Sequence, residues 1–193
     1  EDFIRQKILI PCGAVEMKLG KNLAGQKFPN EVHYYGCPGE ETAPSVIDTN
    51  EIVPWPYGGF NILAMDSHGE WIASSNDLLR FVMAIHENRI ISQHTYNIMV
   101  TPPAVNPTYA KGWGVNSTHN IWHMGSLPGT SSEIVKANNK YMWSIVMNKR
   151  NVNQQSNFEN DIDDLGWTIQ NFLPPPAFQD SCFVFGPTFV GAN

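Results

Sequence analysis

The chain has 193 residues, 42% of them hydrophobic, and a formal net charge of −6. This length and composition allow one domain with a substantial core. The acidic balance, with no basic cluster denser than Lys149-Arg150, argues against nucleic-acid binding. No apolar run approaches the roughly 20 residues that a membrane-spanning helix needs, so we expect a single domain without a membrane span.

The cysteines and histidines give no pattern typical of a metal site or a disulfide framework. Cys12, Cys37 and Cys182 are odd in number and lack Cys-x-x-Cys spacing, so we expect structural or free thiols. His119 and His123 lie four residues apart, which in an extended strand separates them by about 13 Å. We therefore expect neither a metal nor another cofactor.

The chain opens with apolar residues at helical spacing over residues 1–10, which Pro11 and Gly13 should end. Phe3, Ile4 and Ile8 form an apolar face of this helix that needs cover. We therefore expect an upstream segment of the same protein to pack against it.

Residues 15–56 mix Gly, Pro, Asn and charged residues without sustained periodicity. They are predicted to form loops, with at most one strand over residues 31–35.

Hydroxyl residues mark the starts of two further helices. Ser74 and Ser75 precede Asp77 and an apolar stripe, which predicts a capped helix that ends near Asn88. Ser92 should cap a short helix before the proline-rich loop at 102–103.

The second half alternates between strand and turn signals. Residues 109–115 predict a strand, and residues 132–137 and 141–147 predict a hairpin joined by a polar turn at 138–140. The second hairpin strand is almost continuously apolar, so we expect an interior strand covered on both faces.

A closing helix is predicted from apolar residues at helical intervals, namely Phe158, Ile162, Leu165, Ile169 and Phe172. It should end at Pro174-Pro175-Pro176. We divide the chain into a domain over residues 1–173 and an unassigned tail over residues 174–193.

The stretch 122–132 is the strongest candidate for a functional site. His123 ends an apolar strand, Gly125 removes a side chain where a ligand backbone could lie, and the Ser126 amide N–H could face a developing oxyanion. The ordinary alternative is a hairpin in which Gly125 and Pro128-Gly129 form turns and His123 is half-buried.

A resemblance favours the functional interpretation. The run His123-Met124-Gly125, followed by Leu127, Pro128-Gly129 and Ser131, resembles the His-x-Gly motif of the serine hydrolase family that includes class C β-lactamases, D-alanyl-D-alanine peptidases and related esterases. The Tyr-Gly-Trp strand over residues 109–115 resembles the strand that precedes this motif in the family. The resemblance covers about residues 1–173 and implies an α+β fold, an antiparallel β-sheet with packed helices equivalent to the C-terminal half of the family fold.

The resemblance also implies roles for the residues of the motif. His123, Gly125 and the Ser126 backbone N–H would form the catalytic and oxyanion site, and Met124 and Leu127 would contact the substrate. His123 stands where other members carry the lysine of Lys-Thr-Gly. The implied reaction is hydrolysis of a small-molecule or peptide substrate, namely a β-lactam, a D-amino-acid peptide or an ester, and the implied location is periplasmic or secreted.

The nucleophile of this family is absent from the 193 residues. No serine is followed three residues later by lysine, and no tyrosine is followed two residues later by Asn or Ser. We therefore expect an upstream segment that carries the nucleophile, and a chain that is inactive by itself. The alternative is a non-catalytic binding module descended from the same family.

Overall fold

The structure is a computed structural model that describes residues 1–48, 50–65 and 67–172. The predicted tail over residues 174–193, including Cys182, lies outside the described residues. The strands of the described part are β1 (Lys18–Leu19), β2 (Thr42–Pro44), β3 (Ile52–Pro54), β4 (Trp71–Ile72), β5 (Gly114–Val115), β6 (Ile121–Leu127), β7 (Thr130–Lys136) and β8 (Met142–Met147).

Helix α1 is α-helical over Asp2–Ile4, π-helical over Arg5–Leu9 and α-helical again over Ile10–Cys12; the later helices are α2 (Ser75–His86), α3 (Gln93–Val100) and α4 (Gln155–Phe172). Short 3₁₀ turns lie at Ala24–Gln26, Ile62–Ala64 and Val152–Gln154.

The main sheet has the strand order β5-β6-β7-β8, and every neighbouring pair is antiparallel. Two small antiparallel pairs, β1 with β4 and β2 with β3, lie outside it. The mixture of helices and an antiparallel sheet confirms the predicted α+β class.

The predicted helix ends are confirmed, and their caps explain them. The Ser74 side chain accepts a hydrogen bond from the Asp77 amide, and the Asp77 carboxylate accepts one from the Ser74 amide, which is a capping box. Ser92 caps α3 through the Thr95 amide. Helix α1 ends in a Schellman motif, since Gly13 has φ +74° and the next amide bonds back to the Leu9 carbonyl.

The core lies on both sides of α2. Apolar residues of α2 and α3 pack on one face of the main sheet, around Val82, Ile85 and Ile134. Helix α1 packs on the other side through Leu9 and Cys12.

The apolar face predicted for α1 is only partly bare. Ile4 and Ile8 pack against the cluster around Leu9, whereas Phe3 is 69% exposed. The cover predicted for this helix therefore comes in part from within the described chain.

The segment predicted as a strand over residues 31–35 is irregular, so that prediction was wrong. Its polar backbone groups find partners outside a strand ladder. The Tyr34 amide donates to the Tyr57 hydroxyl, the Tyr35 amide donates to the Asn148 carbonyl, and the Asn148 side chain donates to the His33 carbonyl. These bonds from distant residues replace strand pairing.

The hairpin of β7 and β8 is confirmed, but its interior strand is β7. Strand β8 lies at an edge of the described sheet, and Val146 is 41% exposed. Strand β7 lies between two neighbours and buries polar residues, including Ser131 and Glu133. The prediction failed because a continuous apolar run does not state how many neighbours a strand has.

Helix α4 is confirmed, but only part of the apolar face predicted for it is buried. Ile162 is buried, whereas Leu165 and Ile169 are about half exposed and Phe172 is 83% exposed. The helix instead packs through Gly166, which lies against the indole of Trp143. No helix in the described part of the chain is long and apolar enough to cross a membrane.

Candidate functional site

The stretch singled out in the sequence, residues 122–132, forms most of β6, the turn after it and the start of β7. Strand β5 pairs only with Ile121 and Trp122 on the outer side of β6. Among the described residues, no strand pairs with positions 123–127 on that side, while β7 pairs along the whole inner side. We call the outer edge of β6 over residues 123–127 the open edge. An extended ligand can form main-chain hydrogen bonds with such an edge.

The turn that ends β6 determines which amides reach the open edge. Leu127 and Thr130 flank the turn Pro128-Gly129, and Gly129 has the φ of +83° that a type II turn requires at its third position. The hydrogen bond of such a turn makes Leu127 and Thr130 a bonded pair, and bonded pairs alternate along an antiparallel ladder. We infer that the N–H of Ser126, one position earlier, points to the open edge.

Gly125 pairs with Ser132 of β7, and its missing side chain leaves room on the His123 face of the strand. A Cβ atom at Gly125 would lie 2.9 Å from the Ser132 Oγ atom. Because a hydroxyl at the end of a short side chain can rotate away, the fold itself does not demand glycine here. A ligand that lies along the open edge would gain the space.

His123 is exposed, and Tyr109 is its described side-chain partner. The Tyr109 hydroxyl lies 3.3 Å from Nε2 of His123, and the two rings meet edge-on. Tyr109 reaches this place because it forms an isolated bridge with Gly114 of β5. In the sequence Tyr109 indicates only a strand, because no local pattern pairs residues that lie 14 positions apart.

The predicted site residues do not all meet at one cavity. His123 and Met124 both line a cavity of about 300 Å³ whose other walls include Tyr109 and Trp122. Leu127 lies at the far end of the strand, beside Gly69. The structure therefore brings His123 and Met124 to one cavity and separates Leu127 from it.

The Ser126 side chain is distinct from its amide. Its Oγ atom is buried and has no hydrogen-bond partner in the described structure. It points to the face opposite His123, because side chains alternate along a strand. Any role of Ser126 at the open edge therefore falls to its backbone N–H.

Metal ligands do not gather in the described part of the chain, where no three His, Cys, Asp or Glu residues could hold one ion. Cys12 and Cys37 are buried free thiols. Burial raises the pKa of the Cys12 thiol, with the Arg89 charge opposing that effect.

No protein-family description matches this sequence, and no curated protein does. Solved structures do match. D-amino acid amidase from Ochrobactrum anthropi SV3, complexed with L-phenylalanine, superposes with a TM-score of 0.64 at 18% identity, over 89% of this chain and 53% of the amidase.

Two penicillin-binding proteins are also similar. The one from Bacillus halodurans has a TM-score of 0.59 at 10% identity and is matched over 48% of its length, by 85% of this chain. The octameric homologue from Pyrococcus abyssi has a TM-score of 0.53 at 20% identity and is matched over 33% of its length, by 77% of this chain. The chain thus spans about half the length of the first of these structures, and over the matched part it shares the fold of the amidase and the penicillin-binding proteins.

Proposed function

We propose that β6 is the substrate-aligning strand of a serine hydrolase that cleaves a β-lactam, a D-amino-acid peptide or amide, or an ester. The observation that carries the proposal is the open edge of β6, where a glycine, an outward amide and an exposed histidine follow one another. The fold shared with a D-amino acid amidase supports the same class of reaction.

The open edge can serve acyl transfer in two ways. Main-chain bonds along β6 would hold the substrate extended, with its carbonyl beside Ser126. When a nucleophile attacks that carbonyl, negative charge develops on its oxygen, and the Ser126 N–H would donate a hydrogen bond to it. His123, next to Tyr109, would bind a substrate carboxylate or assist proton transfer at the same edge.

These 193 residues do not supply the nucleophile that the proposed reaction needs. Since no Ser-x-x-Lys occurs in the sequence, we propose that a further segment of the same protein supplies the serine and its lysine. The share of the amidase that this chain matches, about half, leaves room for such a segment.

The first test uses the 193-residue chain by itself. We expect no hydrolysis of nitrocefin or p-nitrophenyl acetate and no labelling by a fluorophosphonate, because no activated serine is present. Stoichiometric labelling of one serine would contradict this and would indicate an unrelated hydrolase within the chain.

The second test combines the chain with the nucleophile-bearing segment. Gly125→Val should abolish turnover, because a branched side chain would occupy the substrate path while the strand still forms. Gly25→Val is the matched control, since the space around Gly25 is open and turnover should be unchanged. Equal turnover of the Gly125→Val variant and the parent would show that β6 is a structural hairpin strand.

His123→Ala should be milder than Gly125→Val. Loss of one proton-transfer or electrostatic contributor costs about 10²–10³ in rate, while the serine and its amide donors remain.

The binding-module alternative predicts a different result. The chain would then bind D-phenylalanine amide in a manner that Gly125→Val abolishes, yet no added segment would produce turnover. This alternative would also account for the absent Ser-x-x-Lys, and the turnover assay separates the two.

A further inference from the structure

The turn between β6 and β7 is covered by residues from much earlier in the chain. Connecting turns usually lie at the surface, but Gly129 is buried. A Cβ atom at Gly129 would lie 2.6 Å from Cγ of Pro56 and 2.9 Å from Cβ of Tyr34. Pro56 and Tyr34 therefore lie so close to the turn that position 129 has no room for a side chain.

Tyr57 joins these two covering residues. It directly follows Pro56, is 5% exposed, and its hydroxyl accepts a hydrogen bond from the Tyr34 amide at 2.8 Å. The same hydroxyl lies 3.2 Å from Nδ1 of His33. The rings of Tyr34 and Tyr57 also meet, with 6.0 Å between their centroids. We call Tyr34, Pro56 and Tyr57 the turn clamp.

The turn clamp is anchored to the main sheet at the end of β8. The Asn148 side chain donates to the His33 carbonyl at 2.8 Å, and the Tyr35 amide donates to the Asn148 carbonyl at 3.1 Å. The Thr130 hydroxyl donates to the Met147 carbonyl at 3.0 Å, which ties the start of β7 to the same end of β8. The clamp and the turn are therefore held by the same part of the sheet.

The last residues of β6 need support from outside the sheet. Among the described residues, positions 123–127 pair with β7 alone, and a hairpin end opens more readily than the middle of a sheet. An amide that donates to an oxyanion must be held within about 0.5 Å of its productive position. Opening of the Leu127–Thr130 pair would release the neighbouring Ser126 N–H from that position.

We propose that the turn clamp keeps the end of β6 paired with β7, and that Tyr57 is thereby a positioning residue for the Ser126 N–H. The second part rests on the proposed hydrolase function, whereas the first concerns the fold of this chain alone. Tyr57 acts through its bond to Tyr34 and through the adjoining Pro56.

Amide hydrogen exchange in the 193-residue chain, followed by NMR, tests the clamp directly. Tyr57→Phe keeps the ring but removes the hydroxyl that accepts from the Tyr34 amide. The amides of Leu127 and Thr130 should then exchange about tenfold faster, because opening of the turn no longer has to break this bond.

Two further variants separate this local effect from a general loss of stability. Tyr35→Phe removes the hydroxyl of a neighbouring tyrosine that is 53% exposed. Ser92→Ala removes the cap of α3, a bond that opening of the turn does not break. Both should leave exchange at Leu127 and Thr130 within twofold of the parent.

Unchanged exchange at Leu127 and Thr130 in Tyr57→Phe would overturn the proposal, as would an equal acceleration in Ser92→Ala. If Tyr57→Phe does not fold, Pro56→Ala takes its place with the same expected result. That substitution removes the Cγ atom that lies closest to the turn.

Steady-state kinetics of the chain combined with the nucleophile-bearing segment test the positioning role. Tyr57→Phe should lower kcat tenfold or more and change KM less than twofold, because the Ser126 N–H acts on the transition state. Tyr35→Phe should leave both constants unchanged. An unchanged kcat alongside faster exchange at the turn would overturn the positioning role. Absence of turnover by the parent combination would count against the proposed function, and hydrogen exchange would still decide whether the clamp exists.

Discussion

Individual polar residues in β7 carry much of the chemistry of the sheet. Glu133 and Lys136 are both buried, and they point to opposite faces because an odd number of positions separates them. Desolvation moves the two groups in the directions expected of buried charges, raising the pKa of Glu133 and lowering that of Lys136. The strand with the most polar side chains is thus also the most enclosed.

The raised pKa of Glu133 predicts a specific pH dependence of stability. Below its ordinary pKa of 4.5, Glu133 is protonated in both folded and unfolded chains. As pH rises from there to about 7, only the unfolded chain ionises, so stability falls. Glu133→Gln should remove this loss, so its gain over the parent should grow from near zero at pH 4 to as much as about 3 kcal/mol at pH 8.

Urea unfolding at the two pH values measures this difference. Asp164→Asn, at an exposed position on α4, is the control and should follow the parent at both. Parallel stability profiles for Glu133→Gln and the parent would show that Glu133 is not held protonated in the folded protein.

At the scale of elements, α4 is held on the sheet by close approach at one glycine. A Cβ atom at Gly166 would overlap the indole of Trp143, which in turn meets Trp167 edge-on at 4.8 Å between ring centroids. The helix can approach this closely only because position 166 has no side chain. The two indoles then fill the space beside the helix.

Gly166→Ala therefore tests whether helix propensity or packing against Trp143 has the larger effect on the free energy of unfolding. Helix propensity alone predicts a gain of about 1 kcal/mol, but overpacking against Trp143 costs about 1–3 kcal/mol. We expect net destabilisation in urea unfolding and a change in the near-ultraviolet circular dichroism of the indoles.

Gly25→Ala is the control for this experiment, because a side chain at Gly25 would meet open space. It should leave the indole signal unchanged. A Gly166→Ala protein more stable than the parent would mean that α4 does not pack on Trp143.

At the scale of the whole molecule, one buried ion pair joins two segments that lie far apart in the sequence. Arg150, after β8, donates to both carboxylate oxygens of Glu40, which lies 110 residues earlier. Glu40 is 4% exposed and also accepts from the Cys37 thiol. The pair holds the turn before β2 against the end of the main sheet.

Arg150→Ala should cost about 3–5 kcal/mol at pH 7, because it leaves Glu40 buried and without its cation. Arg150 lowers the pKa of Glu40, so this contribution is present above the ordinary value of 4.5 and is lost as pH falls below it. The cost of Arg150→Ala should therefore shrink at pH 3 in urea unfolding.

Arg89→Ala provides the comparison, since Arg89 forms an exposed pair with Glu87 at 2.9 Å and should cost no more than about 1 kcal/mol. Equal costs for the two substitutions would mean that the Glu40–Arg150 pair is not buried in solution.

The elements that could be predicted are those that depend on residues close together in the sequence. Ser74 with Asp77 indicated the start of α2, and Gly13 indicated the end of α1. The turn at Pro128-Gly129 followed from its two residues. The α+β fold followed from the resemblance of the motif at His123, and the superposed structures confirm it.

The errors share one cause, which is that burial and strand neighbours depend on distant residues. Residues 31–35 have strand propensity, but their polar groups bond to Tyr57 and Asn148 instead. Leu165 and Ile169 have helical spacing, but only the approach of Gly166 to Trp143 decides which side of α4 meets the sheet.

The sequence by itself determined the helix caps, the hairpins, the run His123-Met124-Gly125 and the absence of Ser-x-x-Lys within it, because each depends on residues a few positions apart. Only the tertiary structure decided that the outer edge of β6 stays open, that Tyr109 meets His123, and that Glu133 lies beside Asp163. Those pairings join residues 14 or more positions apart, and packing, rather than local propensity, selects them.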